Sequence, residues 1–167
     1  MTANANASER RPRSRNAIGA RSSAAAPTYA PGVPANANGV LYALAGFSGG
    51  ITTYVKDGFL NYEFNLFEVQ RTKIKSKAKL PLGKVKVEVE SKLAGPIGGP
   101  MDITLRANGE VVGQGRVPAA MSLHFTSNAT FDIGTDLDSP VSLDYYDQAP
   151  FAFNGSIGTT RVVYLKK

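Results

Sequence analysis

The sequence predicts an all-β chain, an antiparallel β-sandwich preceded by a disordered N-terminal tail. Three observations carry this. From Gly39 onward apolar residues recur with a period of two, the mark of half-buried strands, and no window keeps helical spacing over three turns. Between these segments stand Asp57-Gly58 and Asn108-Gly109, pairs that supply the positive φ of a tight hairpin. With 43% hydrophobic and 19% charged residues in 167, the chain has the apolar material for one core-bearing domain.

Residues 1–38 read as the tail and 39–167 as the domain. The first 38 hold eleven Ala but only Ile18 and Val33 among Val, Ile and Leu, too little to offset the entropy of ordering. Arg10, Arg11, Arg13, Arg15 and Arg21 against Glu9 give the tail +4 of the chain's +6, so the domain carries only +2. No apolar h-region follows the Arg cluster, so a secretory signal peptide is not expected and the cytoplasm is the default compartment. Tyr29 is the tail's one aromatic residue, which argues against nucleic acid as a partner, since bases need stacking platforms.

Each strand follows from its alternation. Leu60, Tyr62, Phe64 and Leu66 face one way and Asn61, Glu63 and Asn65 the other, so Ile51–Lys56 and Phe59–Leu66 should pair across Asp57-Gly58. Next, Arg71, Lys73, Lys75, Lys77 and Lys79 occupy odd positions and Thr72, Ile74, Ser76, Ala78 and Leu80 even ones. Five cations therefore line one strand face. The following strand places Val85, Val87 and Val89 inward and Lys84, Lys86, Glu88 and Glu90 outward. A reversal at Pro81-Leu82 would set Lys73 against Glu90 and Lys75 against Glu88, worth about 0.2–1 kcal/mol each, and would leave Lys77, Lys79, Lys84 and Lys86 as a cationic end. Asn108-Gly109 joins Met101–Ala107 to Glu110–Val117, with Leu105 expected opposite Val112. Met121, Leu123 and Phe125 alternate with His124 on the polar side, and Arg161–Leu165 closes the chain as a β-branched strand. About ten short strands are expected, in a sandwich of jelly-roll, lectin-like type.

Composition removes several chemistries. There is no Cys and one His, so disulfides, thiolate catalysis and multi-His or Cys-based metal sites are excluded. No apolar run approaches the about 18 residues of a membrane span; the longest is Val40–Ala45. Gly46–Gly50 lacks the Lys of a phosphate loop and reads as tight turning. Glu63, Glu88 and Glu90 show no Glu-x-Asp-x-x-Glu spacing of a glycosidase. Sequons stand at Asn6, Asn128 and Asn154.

Three sets of candidate site residues remain. Arg71, Lys73, Lys75, Lys77, Lys79, Lys84 and Lys86 form a cationic ribbon for an anionic partner, or equally a lysine guard on an exposed strand. Asp132, Asp136, Asp138 and Asp144 lie in an acidic loop; the cofactor such oxygens would take is Ca2+, although the EF-hand pattern is not met and Asx-turns account for the same residues. Tyr54, Tyr62 and Tyr145 are candidate stacking surfaces for sugar rings.

The segments in order resemble the C-terminal β domain of bacterial-type arylsulfatases. They are Gly39-Val40-Leu41, Tyr54-Val55-Lys56-Asp57-Gly58, Tyr62-Glu63-Phe64-Asn65 and Leu80-Pro81-Leu82-Gly83-Lys84, then Asn108 through Pro118, Phe131 through Asp136, Ser139-Pro140-Val141-Ser142, Tyr145 and Phe151 through Gly155. The parent family hydrolyses sulfate esters, but its catalytic α/β domain and the Cys/Ser-x-Pro-x-Arg motif have no counterpart here. The resemblance implies a non-catalytic accessory domain that packs on a sulfatase catalytic domain or binds an anionic, sulfated substrate. A lectin-like carbohydrate-binding module, with or without Ca2+, is the alternative. Relatives have a β-branched strand ahead of Gly-Val-Leu; here Ala24–Gly32 is rich in Ala and Pro, so loss of an edge strand is expected. The loop Lys92–Pro100 also departs from the family's Gly- and Lys-rich form.

Overall fold

The computed structural model describes residues 23–28, 32–122 and 130–165. Leu123, His124 and Phe125, the sequons at Asn6 and Asn128, and the Arg cluster at 10–21 lie outside them. The strands are β1 (Ser23–Thr28), β2 (Gly32–Val33), β3 (Gly39–Gly46), β4 (Gly49–Lys56), β5 (Phe59–Leu66), β6 (Gln70–Lys79), β7 (Gly83–Lys84), β8 (Val87–Leu93), β9 (Met101–Ala107), β10 (Glu110–Val117), β11 (Phe131–Ile133) and β12 (Arg161–Leu165). A 3-10 helix covers Leu143–Gln148.

These strands form an antiparallel β-sandwich. One sheet has the order β10-β9-β8-β1-β12, the other β11-β3-β4-β5-β6, and β2 pairs with β7 in a small ribbon. The inward sets meet in one core: Leu41, Tyr42, Val55, Leu60, Tyr62, Phe64 and Ile74 from one sheet, Val87, Val89, Ile103, Leu105 and Val117 from the other. Period-two alternation thus becomes inter-sheet burial.

Both Gly-containing hairpins form as expected. Asp57 and Gly58 sit at φ 54° and 83°, Asn108 and Gly109 at 53° and 86°, so both central residues of each turn are left-handed and the turn twist matches that of the strands. Lys56 pairs with Phe59 and Gly50 with Asn65. In the second hairpin a register shift between Val111 and Gly113 puts Gly113 opposite Leu105. Val112 is the extra residue of this bulge, which is why it does not meet Leu105.

Two expectations are corrected. The strand 71–79 does not pair with 84–90: β6 pairs with β5, while β8 is hydrogen-bonded on both sides, to β1 and β9. No edge of β8 is left for β6. Pro81, which lacks an N–H, and the left-handed Gly83 (φ 82°) carry the chain from one sheet to the other. Glu88 and Glu90 therefore pair elsewhere, with Lys86 at 2.8 Å and Arg106 at 3.8 Å. The second correction is at the start of the fold. Residues 23–28 form β1, and it lies inside a sheet, between β8 and β12. Backbone pairing on both sides supplies what an Ala-rich sequence does not, and Pro27 falls within the register irregularity between Ala25 and Thr28, where a missing donor is tolerated.

The sheets close on each other at one side, where β10 meets β6. A Cβ on Gly115 would lie 2.6 Å from Ile74 Cγ1, and one on Gly113 would lie 3.1 Å from the Lys75 carbonyl. At the head of β3, Gly39 has φ 120°, and a Cβ there would lie 2.2 Å from Phe153 Cα. Gly39→Ala should therefore lower the unfolding free energy by about 1–3 kcal/mol through strain alone, with displacement of the Ala152–Phe153 backbone adding to it; urea unfolding measures this, and an unchanged midpoint contradicts the close approach.

Candidate functional site

The outer face of the β3–β6 sheet is where the candidate residues gather. In β5 the residues Asn61, Glu63 and Asn65 alternate away from the core, as expected of a solvent face, yet Glu63 and Asn65 have no exposed surface. The segment 134–153 lies over them. It brings its own small core, Val141, Tyr145 and Phe151, onto Val40, Ala43 and Tyr54. Tyr145 stacks on Phe151 with ring centroids 5.1 Å apart and meets Tyr54 edge-on at 5.1 Å.

Beneath that segment runs a charged network. Arg71 Nη1 donates to Glu63 Oε1 at 2.9 Å and to the Val141 carbonyl at 2.6 Å, and its guanidinium lies over the Phe47 ring. The Ser142 hydroxyl donates to Glu63 Oε2. Lys73 Nζ sits 3.6 Å from Glu63 and 2.5 Å from Asp144 Oδ1. Asp144 also accepts from the Tyr54 hydroxyl, and its carbonyl accepts from Lys56 Nζ at 2.5 Å. A second knot forms at Asp136, which accepts from the Tyr145 hydroxyl at 2.6 Å and from the Val141 amide at 2.9 Å; the Tyr145 hydroxyl also lies 3.0 Å from Thr52 Oγ1. Buried carboxylates need this many donors to stay charged or bonded.

Titration follows the environment. Burial pushes the Asp144 carboxyl up, but hydrogen bonds from Lys73 and Tyr54 and the charges of Lys73 and Lys56 outweigh it and hold Asp144 below the ordinary carboxylate value. Asp136 goes the other way: burial raises it, the bonds from Tyr145 and Val141 do not compensate, and Asp132 and Asp138 add repulsion. Burial raises all three candidate tyrosines well above the ordinary phenol value, with Asp136 next in importance at Tyr145 and Asp144 at Tyr54.

Two of the three candidate sets change meaning. Tyr54, Tyr62 and Tyr145 are each 1% exposed, so no ring face meets solvent and none offers a stacking surface for a sugar; Tyr62 belongs to the inter-sheet core and the other two to the core under 134–153. The acidic loop does not gather its carboxylates. Asp132 accepts from the Thr130 hydroxyl at 2.7 Å and the Leu137 amide at 3.1 Å, Asp138 is exposed, and Asp136 and Asp144 serve the network above. Among the described residues no group of three or more His, Cys, Asp or Glu side chains is placed to hold a metal ion.

The cationic set divides in two. Arg71 and Lys73 are consumed by Glu63 and Asp144. Lys86 pairs with Glu88. Lys75, Lys77, Lys79 and Lys84 are exposed, and among the described residues none has a carboxylate within 4.0 Å. Lys75 and Lys79 flank one aromatic ring, their Nζ atoms 4.2 and 5.8 Å from the Phe59 centroid. A register shift in β6 opposite Phe59–Asn61 brings this about, setting Lys79 opposite Phe59 and Lys75 opposite Asn61. Phe59 is not among the residues that sequence reasoning singles out. Its signal in the sequence is an apolar ring in phase with Asn61, Glu63 and Asn65.

No protein-family model and no curated protein matches the sequence. Among solved structures, the chain is similar to the native heptameric SAP-like pentraxin from Limulus polyphemus, at 18% identity and a TM-score of 0.44 over 86% of this chain. The chain spans 64% of the length of that pentraxin.

Two outcomes are expected for the network. Glu63→Gln leaves the Arg71 guanidinium without its carboxylate, while Lys73 keeps Asp144, and should cost about 3 kcal/mol in denaturant unfolding; a cost near zero contradicts a buried ion pair. Because Asp144 lies below its unfolded value, its contribution is present above the unfolded carboxylate pKa and is lost as pH falls through the folded one. Asp144→Asn should therefore be less stable than the parent at neutral pH and lose less stability on acidification below about pH 4, as read by melting temperature against pH.

Proposed function

We propose that this chain is a non-catalytic, lectin-like carbohydrate-binding module whose ligand is an anionic glycan, sulfated before carboxylated, held by the lysines of β6. The observation that carries the reading is the uncompensated charge of the exposed Lys75, Lys77, Lys79 and Lys84, of which Lys75 and Lys79 hold their ammonium groups against the Phe59 ring. Every other cation of the expected ribbon has a carboxylate partner. Lysines guard a strand edge that is free, and here the β6 edge already meets β10. The arylsulfatase resemblance points to sulfate esters as the ligand's charged groups.

The accessory-domain reading is favoured by a different feature. At the end of the sheet carrying the β3–β4 and β5–β6 turns, Phe67, Val69 and Tyr146 are exposed beside Phe47, and Asn65 ties the two turns together through Phe47 and Glu68. An apolar rim of this kind suits packing on a larger protein such as a sulfatase catalytic domain.

Titration calorimetry with a sulfated polysaccharide at several salt concentrations tests the glycan reading. Binding should weaken linearly in log salt and be unaffected by a chelator. Lys75→Gln with Lys79→Gln should reduce that slope by about 2, and Lys92→Gln on the opposite sheet should leave it unchanged. Equal loss from both variants, abolition by chelator, or turnover of an aryl sulfate by the purified chain each contradicts the proposal.

A further inference from the structure

Among the described residues the two five-stranded sheets have four edges, and three of them are protected. The β6 and β10 edges close on each other through Gly113 and Gly115. The β11 edge is three residues long and ends at the left-handed Gly134, φ 80°. The fourth edge, β12, has none of these devices. Its residues Val162, Val163 and Tyr164 are consecutive, β-branched or aromatic, and 54%, 36% and 79% exposed. Its one charged residue is Arg161 at its start, and it contains no Pro. Such an edge is a template for another strand.

Register fixes the side of the sheet on which Tyr164 stands. It pairs with Ala24, which pairs with Ser91, on the side of the sheet where Val87 and Val89 face the core. Tyr164 thus lies on the core side of its sheet, and yet most of its surface meets solvent.

We propose that β12 pairs antiparallel with β12 of a second copy, about a twofold axis through Val163, joining the two sheets edge to edge. The register follows from the residues. Val163 faces Val163 of the partner subunit, and Val162 faces Tyr164 of the partner subunit, a β-branched–aromatic pair of the kind that stabilises sheets. Arg161 faces Leu165 of the partner subunit, so the two arginines stand at opposite ends of the paired strands. Identical edges can pair this way in a closed dimer, because the interface is isologous and leaves no free β12 edge. The pairing sits at the edge of the sandwich opposite β6 and β10, so both lysine strips stay open. The dimer would be bivalent toward a long polyanion, although the pairing itself does not rest on what the strips bind.

Sedimentation velocity on the full chain tests this. The parent chain should sediment as a dimer. Val162→Lys with Tyr164→Lys, at exposed positions, should give a folded monomer with an unchanged far-UV circular dichroism spectrum. Because the chain has no cysteine, Val163→Cys should form a disulfide-linked dimer under mild oxidation while Arg161→Cys should not, and this arm stands whether or not the lysine variant folds. A parent chain that is monomeric at every concentration, a lysine variant that remains dimeric, or cross-linking through Arg161→Cys and not Val163→Cys overturns the proposal.

Discussion

Glu63 holds its carboxylate where water does not reach. A charge with no exposed surface costs several kcal/mol unless donors surround it, and the chain meets that demand from two directions. Arg71 and Lys73 come from the neighbouring strand, and Ser142 comes from a segment far later in the sequence. The second direction explains the shape of the molecule on this side. Once Ser142 is bound, Val141, Tyr145 and Phe151 are delivered onto Tyr54 and Val40, and Asp144 falls beside Lys73 and Tyr54.

The same constraint sorts the cations. Five basic residues alternate along β6, and Glu63 and Asp144 engage the first two, Arg71 and Lys73, in ion pairs. What remains without a carboxylate partner is Lys75, Lys77 and Lys79, joined by Lys84, and the Phe59 ring holds the ammonium groups of Lys75 and Lys79 close. A strip of repelling charges is retained at some cost in stability, and its location away from the buried acids separates structure from surface. One part of β6 fastens the covering segment and the other is left to meet a partner.

Much of the sandwich is legible in the sequence because alternation is a local signal. The two hairpins at Asp57-Gly58 and Asn108-Gly109 are readable from their dipeptides, and the inward sets of β5, β8 and β9 from period two. What alternation does not carry is the identity of the neighbour. Lys73 and Glu90 have compatible faces, but β8 is taken by β1 and β9, an outcome decided by long-range topology. The bulge at Val112 likewise leaves no mark. The site is less legible. Asn61, Glu63 and Asn65 look like a wet face until a covering segment is known, and that segment reads locally as an irregular acidic loop. Tyr54 misleads for the same reason: an aromatic residue on a polar-looking face suggests a platform, whereas it is a sign that something apolar covers it; Tyr62 stands in phase with Leu60 and Phe64 and belongs to the inter-sheet core.

If the lysines without carboxylate partners form the ligand surface while the acids of 132–144 belong to the scaffold, the two regions must respond differently to a ligand. Amide and lysine side-chain chemical shifts, followed by nuclear magnetic resonance during titration with a sulfated oligosaccharide, test this most directly. Perturbations are expected to centre on Phe59, Lys75, Lys77, Lys79 and Lys84, with Asp132, Asp136 and Asp144 unmoved. Perturbations centred on the acidic segment, with the β6 lysines silent, would contradict it.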